Sequence, residues 1–426
     1  MIRAAFTLLL LAPLAVAQVP REGPPVADPP PELPGGRPVS RPIQPVLPEV
    51  QEPPQAMPPA ETVIERPVAD RRRHWLSIDY LMAWTRNTTL PTVATANAFG
   101  MPALGDPNTV PLLGGPQSRG AIEGMRFVYG RWNDEGPKGW EVAYQFVGSR
   151  TDTAVLDGGG VPGEALLGRP LYNPRTGRED VVLISHPNMI GHLAVSQTIR
   201  LQGWEVTALR EVFANEWGRV TALAGYRYFM LNEGLRFDQR SESLGQPVVG
   251  TGVATYRTAS ADQFDAHNRF HGGTLGLRTQ LDYNGFFAQV DTKVSLGRTT
   301  EVVKASGQTV STIDSPGGLT ISHFPNGVFG QPSNTGRTAR GVFAVLPEAN
   351  LRVGYSFNKR ARFFVGYQFS YLSDVVRAAD QLDRVVDLPG PADPLALVPL
   401  SVRPRVPFAR TDFWVQGVTL GLEWRY

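Results

Sequence analysis

From Trp75 to the carboxyl end, apolar and polar residues alternate with a period of two along one stretch after another, the mark of strands with one greasy face and one polar face. The last stretch is the clearest. Val418, Leu420, Leu422 and Trp424 share a face with Tyr426, whereas Thr419, Gly421, Glu423 and Arg425 share the other. The same pattern predicts strands over 75-84, 121-132, 138-148, 193-213, 219-229, 263-281, 285-297, 341-357, 361-373 and 412-426.

The segments between these strands come in two alternating kinds. Asn133 to Pro137, Ala214 to Gly218, Asp282 to Asn284 and Asn358 to Arg360 are tight turns, whereas 85-119, 149-192, 230-262, 298-340 and 374-411 are long. Long loops in every second position are foreign to a compact soluble domain. They suit an outer-membrane barrel, with brief periplasmic turns and extended external loops. The expected fold is therefore all-β: a transmembrane antiparallel up-and-down β-barrel of about ten strands, roughly 8-12, covering residues 74-426. Glu233 to Phe237 is a candidate to prolong a strand beyond the membrane.

Alternation assigns faces. Leu76, Ile78, Tyr80, Met82 and Trp84, then Trp140, Val142, Tyr144 and Phe146, then Phe363, Val365, Tyr367, Phe369 and Tyr371 are expected to face lipid. Tyr and Trp at strand ends suit the interfacial girdles, where an apolar ring and a polar tip are both satisfied. The opposite faces carry the candidate lumen charges: Arg126, Arg200, Arg227, Arg278, Lys293, Arg352 and Arg425 against Asp79, Glu141, Asp291, Glu348 and Glu423. Such charges tend to pair, because neither sign tolerates desolvation alone. About ten strands lie near the size at which side chains fill the bore, so a wide general porin is not expected.

The amino-terminal part reads differently. Residues 1-17 combine Arg3, an apolar run and Ala15-Val16-Ala17, which describes a secretory signal peptide. Residues 18-73 hold repeated prolines, such as Pro24-Pro25, Pro53-Pro54 and Pro58-Pro59, and no core-forming pattern. A disordered periplasmic extension is expected there, either a plain spacer or a tether toward peptidoglycan or a periplasmic partner. The run Arg71-Arg72-Arg73-His74 reads as a solvated flank, and with a net charge of +2 no nucleic-acid partner is indicated. The expected location is the bacterial outer membrane. Its expected partners are outer-membrane lipid and the barrel-assembly machinery, which would read Trp424 and Tyr426 as the terminal signal.

Two loops share an Asn, Thr-Gly-Arg theme, at Asn173 to Asp180 and at Asn334 to Arg337. Asn and Gly favour tight turns there, and arginines can clamp carboxylates, Asp383 among them. Arg175, Arg178, Glu179, Asp180 and Arg337 are accordingly the candidate loop cap. An anion or carbohydrate site built on Arg175, Arg178 and Arg337 has no second feature behind it.

The same loops and strands carry a resemblance to a family. Trp75 to Trp84, Arg169 to Asp180, Gly225 to Tyr228, Glu233 to Leu235 and Asp265 to Gly273 are similar, in that order, to phrases of the outer-membrane beta-barrel porin family seven. Pro332 to Arg337, Asp380 to Val386 and Thr411 to Val418 continue the series. The resemblance implies an outer-membrane barrel with a periplasmic extension; the family's name is not evidence of transport.

Catalysis finds little footing. His186, His192, Asp180 and Glu179 lie in one long loop without a spacing that makes a constellation, and Gly158-Gly-Gly160 lacks the lysine of a phosphate loop. His267 and His271 are about 13 Å apart on a strand, too far to share a metal. With no cysteine, few histidines and no Gly-x-Ser-x-Gly elbow, no enzyme, metal or cofactor is expected. The functional readings are narrow-pore passage of small solutes, a non-conducting structural or surface-presenting barrel with a charge-plugged lumen, and, behind both, a protease or lipase.

Replacing Tyr426 by aspartate should lower the yield of membrane-inserted protein. Heat-modifiable mobility of outer-membrane fractions measures this, and an undiminished folded band would refute a role for the terminal residue in assembly.

Overall fold

A computed structural model describes residues 73-426, except 135, 244, 249-251 and 388-402. The expected signal peptide and almost all of the Pro-rich extension lie outside the described residues. In chain order the strands are β1 (His74–Thr85), β2 (Thr88–Asn97), β3 (Val110–Gln117), β4 (Ile122–Trp132), β5 (Lys138–Gly158), β6 (Leu166–Asn173), β7 (Arg178–Ser185) and β8 (Met189–Ala214). They continue as β9 (Gly218–Ser243), β10 (Gln246–Val248), β11 (Gly252–Tyr283), β12 (Phe286–Ser315), β13 (Gly318–Phe324), β14 (Gly336–Ser356), β15 (Ala361–Val376) and β16 (Arg410–Arg425). The only helical element among the described residues is a single turn, Ala379–Gln381.

Ten of these strands form a closed antiparallel ring in the order β11-β9-β8-β5-β4-β1-β16-β15-β14-β12, with β12 pairing back onto β11. Each wall strand neighbours the wall strand next to it in sequence, and the first meets the last, Trp75 opposite Arg425 and Tyr80 opposite Leu420. His74 and Tyr426 exchange two backbone hydrogen bonds, 2.9 and 3.0 Å, and their rings stack. Followed once round the ring, the pairings return to β1 displaced by about twelve residues, which for ten strands sets a tilt of roughly 40°. All ten predicted strands are present, and among the described residues the ring leaves no unpaired edge toward lipid.

The tight turns sit at one end and are locally encoded. Asn215 Oδ1 accepts from the backbone N–H groups of Trp217 and Gly218, and Asn358 Oδ1 does the same for Arg360 and Ala361. Between β11 and β12 the turn is Asn284-Gly285, both with positive φ (48° and 83°), the pairing that matches the twist of a two-residue hairpin.

The outward face of β12 runs Phe286, Ala288, Val290, Thr292, Val294 and Leu296, a rise of about 25 Å along the axis at this tilt, the height of the apolar band of such barrels. Leu76, Tyr80, Met82, Trp140, Val142, Tyr144, Phe363, Val365, Tyr367, Leu420, Leu422 and Trp424 are likewise exposed on the outside.

Two of the expected long loops are largely strand. β9 and β11 continue their pairing to Glu242 opposite Arg257, and β11 and β12 to Thr255 opposite Asp314, so 230-262 and 298-340 extend the wall far above the membrane band. The reason is a change of phase. Within the band the outward residues are apolar, but above it the inward ones are: Leu235 and Phe237 on β9, Phe264 and Ala266 on β11, Val303 and Ala305 on β12. Those residues bury against a second, four-stranded sheet, in the order β3-β2-β6-β7, made from the other expected loops.

Replacing Gly285 by valine places a branched side chain at positive φ against the Tyr355 ring, 3.0 Å from the added Cβ. The expected loss is about 1–3 kcal/mol, read from urea unfolding of the refolded barrel in micelles. An unchanged midpoint would contradict the turn's contribution.

Candidate functional site: the lumen and its cap

The lumen is layered. At the level of the membrane band, charged side chains cross it, joining strands three places apart in the ring as well as neighbours. Lys293 Nζ on β12 donates to Glu205 Oε1 on β8 at 2.5 Å, and Arg227 on β9 bridges Glu205 (3.0 Å) and Glu348 on β14 (2.7 Å). Arg278 on β11 donates two hydrogen bonds to Glu141 on β5, 2.9 and 3.1 Å, and two to Asp291 on β12, 2.9 and 2.8 Å. Arg352 on β14 reaches Asp79 on β1 at 3.0 Å, its guanidinium lying over Phe364. Nearer the turns, Arg425 binds Glu423, and Arg362 binds Asp282 and lies over Phe287.

The candidate lumen charges divide as follows. Asp79, Glu141, Arg227, Arg278, Asp291, Lys293, Glu348, Arg352, Glu423 and Arg425 join these pairs. Arg126 is buried on the inner face, in register between Asp79 and Gln145, and has no ion-pair partner among the described residues. Arg200 does not face the lumen. Its neighbours Ile199 and Leu201 are the buried ones, so Arg200 shares the outward face with Trp204 and hydrogen-bonds Gln202 at 3.3 Å. Sequence reasoning missed Glu205, the acceptor of two cations; its parity opposite Trp204 and Val206 was the signal that marks it as inward.

Above the charges lies an apolar layer: Leu81, Ile122, Val147, Ile199, Leu201, Phe229, Leu231, Phe270, Leu346, Leu372 and Phe413 pack as one buried cluster drawn from nearly the whole ring. Above that, Glu233 on β9 gathers the loops. Arg377, just past β15, binds it through two nitrogens at 2.7 Å, Arg119, just before β4, lies at 3.5 Å, and the Ala378 N–H donates at 3.3 Å. Arg377 also donates to Thr88 at the start of β2. Burial would raise the Glu233 carboxyl, but Arg377 and Arg119 outweigh burial and hold it below the usual carboxylate range.

The cap fills the upper lumen. Arg169 on β6, fully buried, binds Asp262 on β11 at 2.7 Å between the rings of Phe237 and Phe329. Asp262 also accepts from the N–H groups of Phe329 (3.0 Å) and Gly330 (2.7 Å). Tyr172 pairs with Val385, Glu179 accepts from Arg384 at 2.7 Å, and Arg175 pairs with Asp387. Asp180 accepts from Asn173 at 3.0 Å and so shapes the β6–β7 turn. Arg178 and Arg337 are exposed and form no ion pair among the described residues, so the candidate anion site of three arginines is not assembled. The two Thr-Gly-Arg phrases close unrelated turns.

The histidines do not converge either. His192 meets Asp157 at 2.6 Å on the exposed rim, and His186 bonds the Pro187 carbonyl. Among the described residues no group of three or more His, Asp or Glu side chains is placed to hold a metal.

A closed ten-stranded ring with a lipid-facing belt is the architecture of a bacterial outer-membrane β-barrel protein. The family model described as "Putative beta barrel porin-7 (BBP7)" matches residues 75–426, and the chain belongs to that family. No curated protein sequence matches. Among solved structures, the chain is similar to the outer membrane protease OmpT of Escherichia coli (8% identity over 83% of this chain and 97% of that one, TM-score 0.41). It is also similar to the Pseudomonas putida toluene transporter TodX (8%, 83% and 90%, 0.19) and to a Pseudomonas aeruginosa FadL homologue (8%, 84% and 90%, 0.20). These likenesses assign no activity to this chain.

Replacing Glu233 by glutamine removes the carboxylate bound to buried Arg377 and leaves buried Arg119 only Asp152, at 3.8 Å, with an expected cost of about 3–5 kcal/mol. Because its carboxyl is held low, the native residue stabilises the fold above the ordinary carboxylate range, and that contribution fades as pH falls through the folded value. Chemical unfolding should therefore lose less stability between about pH 5 and 3 in the variant than in the parent. Parallel pH curves for the two would refute the assignment.

Proposed function

We propose that this chain is a closed, non-conducting and non-catalytic barrel that presents a rigid β-rich cap at the cell surface. The observation that carries the reading is the stacking of an apolar layer on a layer of cross-lumen ion pairs. Conduction needs sites that bind an ion weakly enough to release it, whereas these charges already satisfy one another, and a packed apolar constriction excludes water. The cap adds a second seal, with its own buried core and the Arg169–Asp262 pair inside it.

One observation favours the runner-up, narrow passage of small solutes: Arg126 is a buried lumen cation that forms no ion pair among the described residues. Any leak along it would favour anions.

Refolded protein in planar bilayers should give no discrete openings in molar salt, and the same preparation should show no peptidase or esterase turnover. Reproducible salt-dependent steps, absent in a mock-refolded control, would overturn the closed reading, and turnover would overturn the non-catalytic one.

A further inference from the structure

The outer wall above the apolar band is not uniform. On β8, β9, β11 and β14 the band ends in an aromatic and histidine rim: Trp204, Tyr226, Tyr228, His271 and Phe343. Trp204 and Tyr226 lie with ring centroids 5.4 Å apart, and Tyr226 Oη bonds His271 Nδ1 at 2.6 Å. Such rings mark the depth at which hydrocarbon gives way to headgroups.

Outward-facing cations begin at this rim and continue above it. Arg298 pairs in register with His271 and Phe343, Arg269 lies one row up between Met230 and Thr300, and Arg200 stands a further row up opposite Asn232. Lys304 and Arg337 lie above them, directly opposite each other across β12 and β14. Like charges in direct cross-strand register are destabilising by themselves. All five are exposed, and among the described residues none forms an ion pair. The carboxylate beside them, Asp265 opposite Lys304, is engaged by the Gln263 amide at 3.0 and 3.1 Å. Gly341 matters here because the Arg298 guanidinium lies across it: an added Cβ would stand 2.1 Å from Arg298 Nε.

The other side of the wall lacks this surplus. There Arg86 pairs with Asp412, Arg410 with Asp374 at 3.3 Å, and Glu123 stands outward near Tyr80.

We propose that the β8–β14 wall is a lipid-specific site, in which Arg200, Arg269, Arg298, Lys304 and Arg337 bind the phosphate groups of an outer-leaflet glycolipid. Its acyl chains would lie on Leu275, Leu277, Val294 and Leu296 directly below. Guanidiniums suit this because they bind phosphate oxygens in pairs, and charge complementarity at this depth selects a phosphorylated lipid over a zwitterionic one. The site does not depend on whether the lumen conducts.

The test uses the full-length refolded barrel in zwitterionic detergent, probed with diphosphorylated lipid A, with the same lipid after phosphatase treatment, and with inorganic phosphate as competitor. Native mass spectrometry and fluorescence titration should show retention of the diphosphorylated probe, at least tenfold tighter than the dephosphorylated one and weakened by salt. The triple variant Arg200→Gln, Arg269→Gln, Arg298→Gln should lose at least tenfold in affinity. A control, Lys359→Gln with Arg360→Gln at the turn end, should bind as the parent does. Heat-modifiable mobility confirms that both variants are folded; if the triple variant fails to fold, Gly341→Leu, which displaces Arg298, serves in its place and should bind more weakly. Equal binding of the two lipid forms, undiminished binding by a folded variant, or full displacement by millimolar inorganic phosphate would each overturn the proposal.

Discussion

The interior of the barrel is governed by one constraint: a charge taken out of water inside the ring must meet its opposite. Ten strands at this tilt enclose a bore that long charged side chains reach across. Arg227, Arg278, Lys293 and Arg352 each span to a strand at least three places away in the ring, so the pairs act as chords. Buried pairs contribute little net stability compared with apolar packing, but breaking one leaves an uncompensated charge. Their consequence is register. A slip of one residue on β12 would turn Asp291 and Lys293 toward lipid, and no such slipped ring is tolerable.

The second governing feature is the reversal of phase along a single strand. β9 and β12 each change which face is apolar without a break in their pairing, because their lower halves have lipid outside and charges inside, while their upper halves have water outside and the cap inside. The backbone does not register the boundary; the side chains do. Arg298 and Lys304 follow Val294 and Leu296 on the same outward face, and Val303 and Ala305 follow Asp291 and Lys293 on the inward one.

That reversal also explains what could be read from the chain. Within the membrane band a period of two with a constant phase is legible, and the ten wall strands, their order and their short turns follow from it. Above the band the outward residues are charged and the inward ones apolar, which by composition looks like loop. The strands β2, β3, β6 and β7 are short, carry several prolines and glycines, and bury faces that have no lipid counterpart, so nothing in their pattern announces them. Arg200 was misassigned by its charge against its own parity with Trp204. Of the loop arginines, Arg175 finds a carboxylate, Asp387, two hundred residues away, a pairing created only by the fold, while Arg178 and Arg337 in similar phrases stay in solvent.

The portion above the membrane is in effect a water-facing β domain built on the ends of transmembrane strands. Its core, from Leu90 and Val93 through Phe237 and Phe264 to Val376 and Leu382, uses residues of wall and cap together, so neither part has a complete interior without the other. Glu233 lies at the seam, binding arginines from two different loops just above the apolar layer. Arg377 supplies the close, two-nitrogen contact and Arg119 a longer one, so the seam carboxylate ties both loops to the wall.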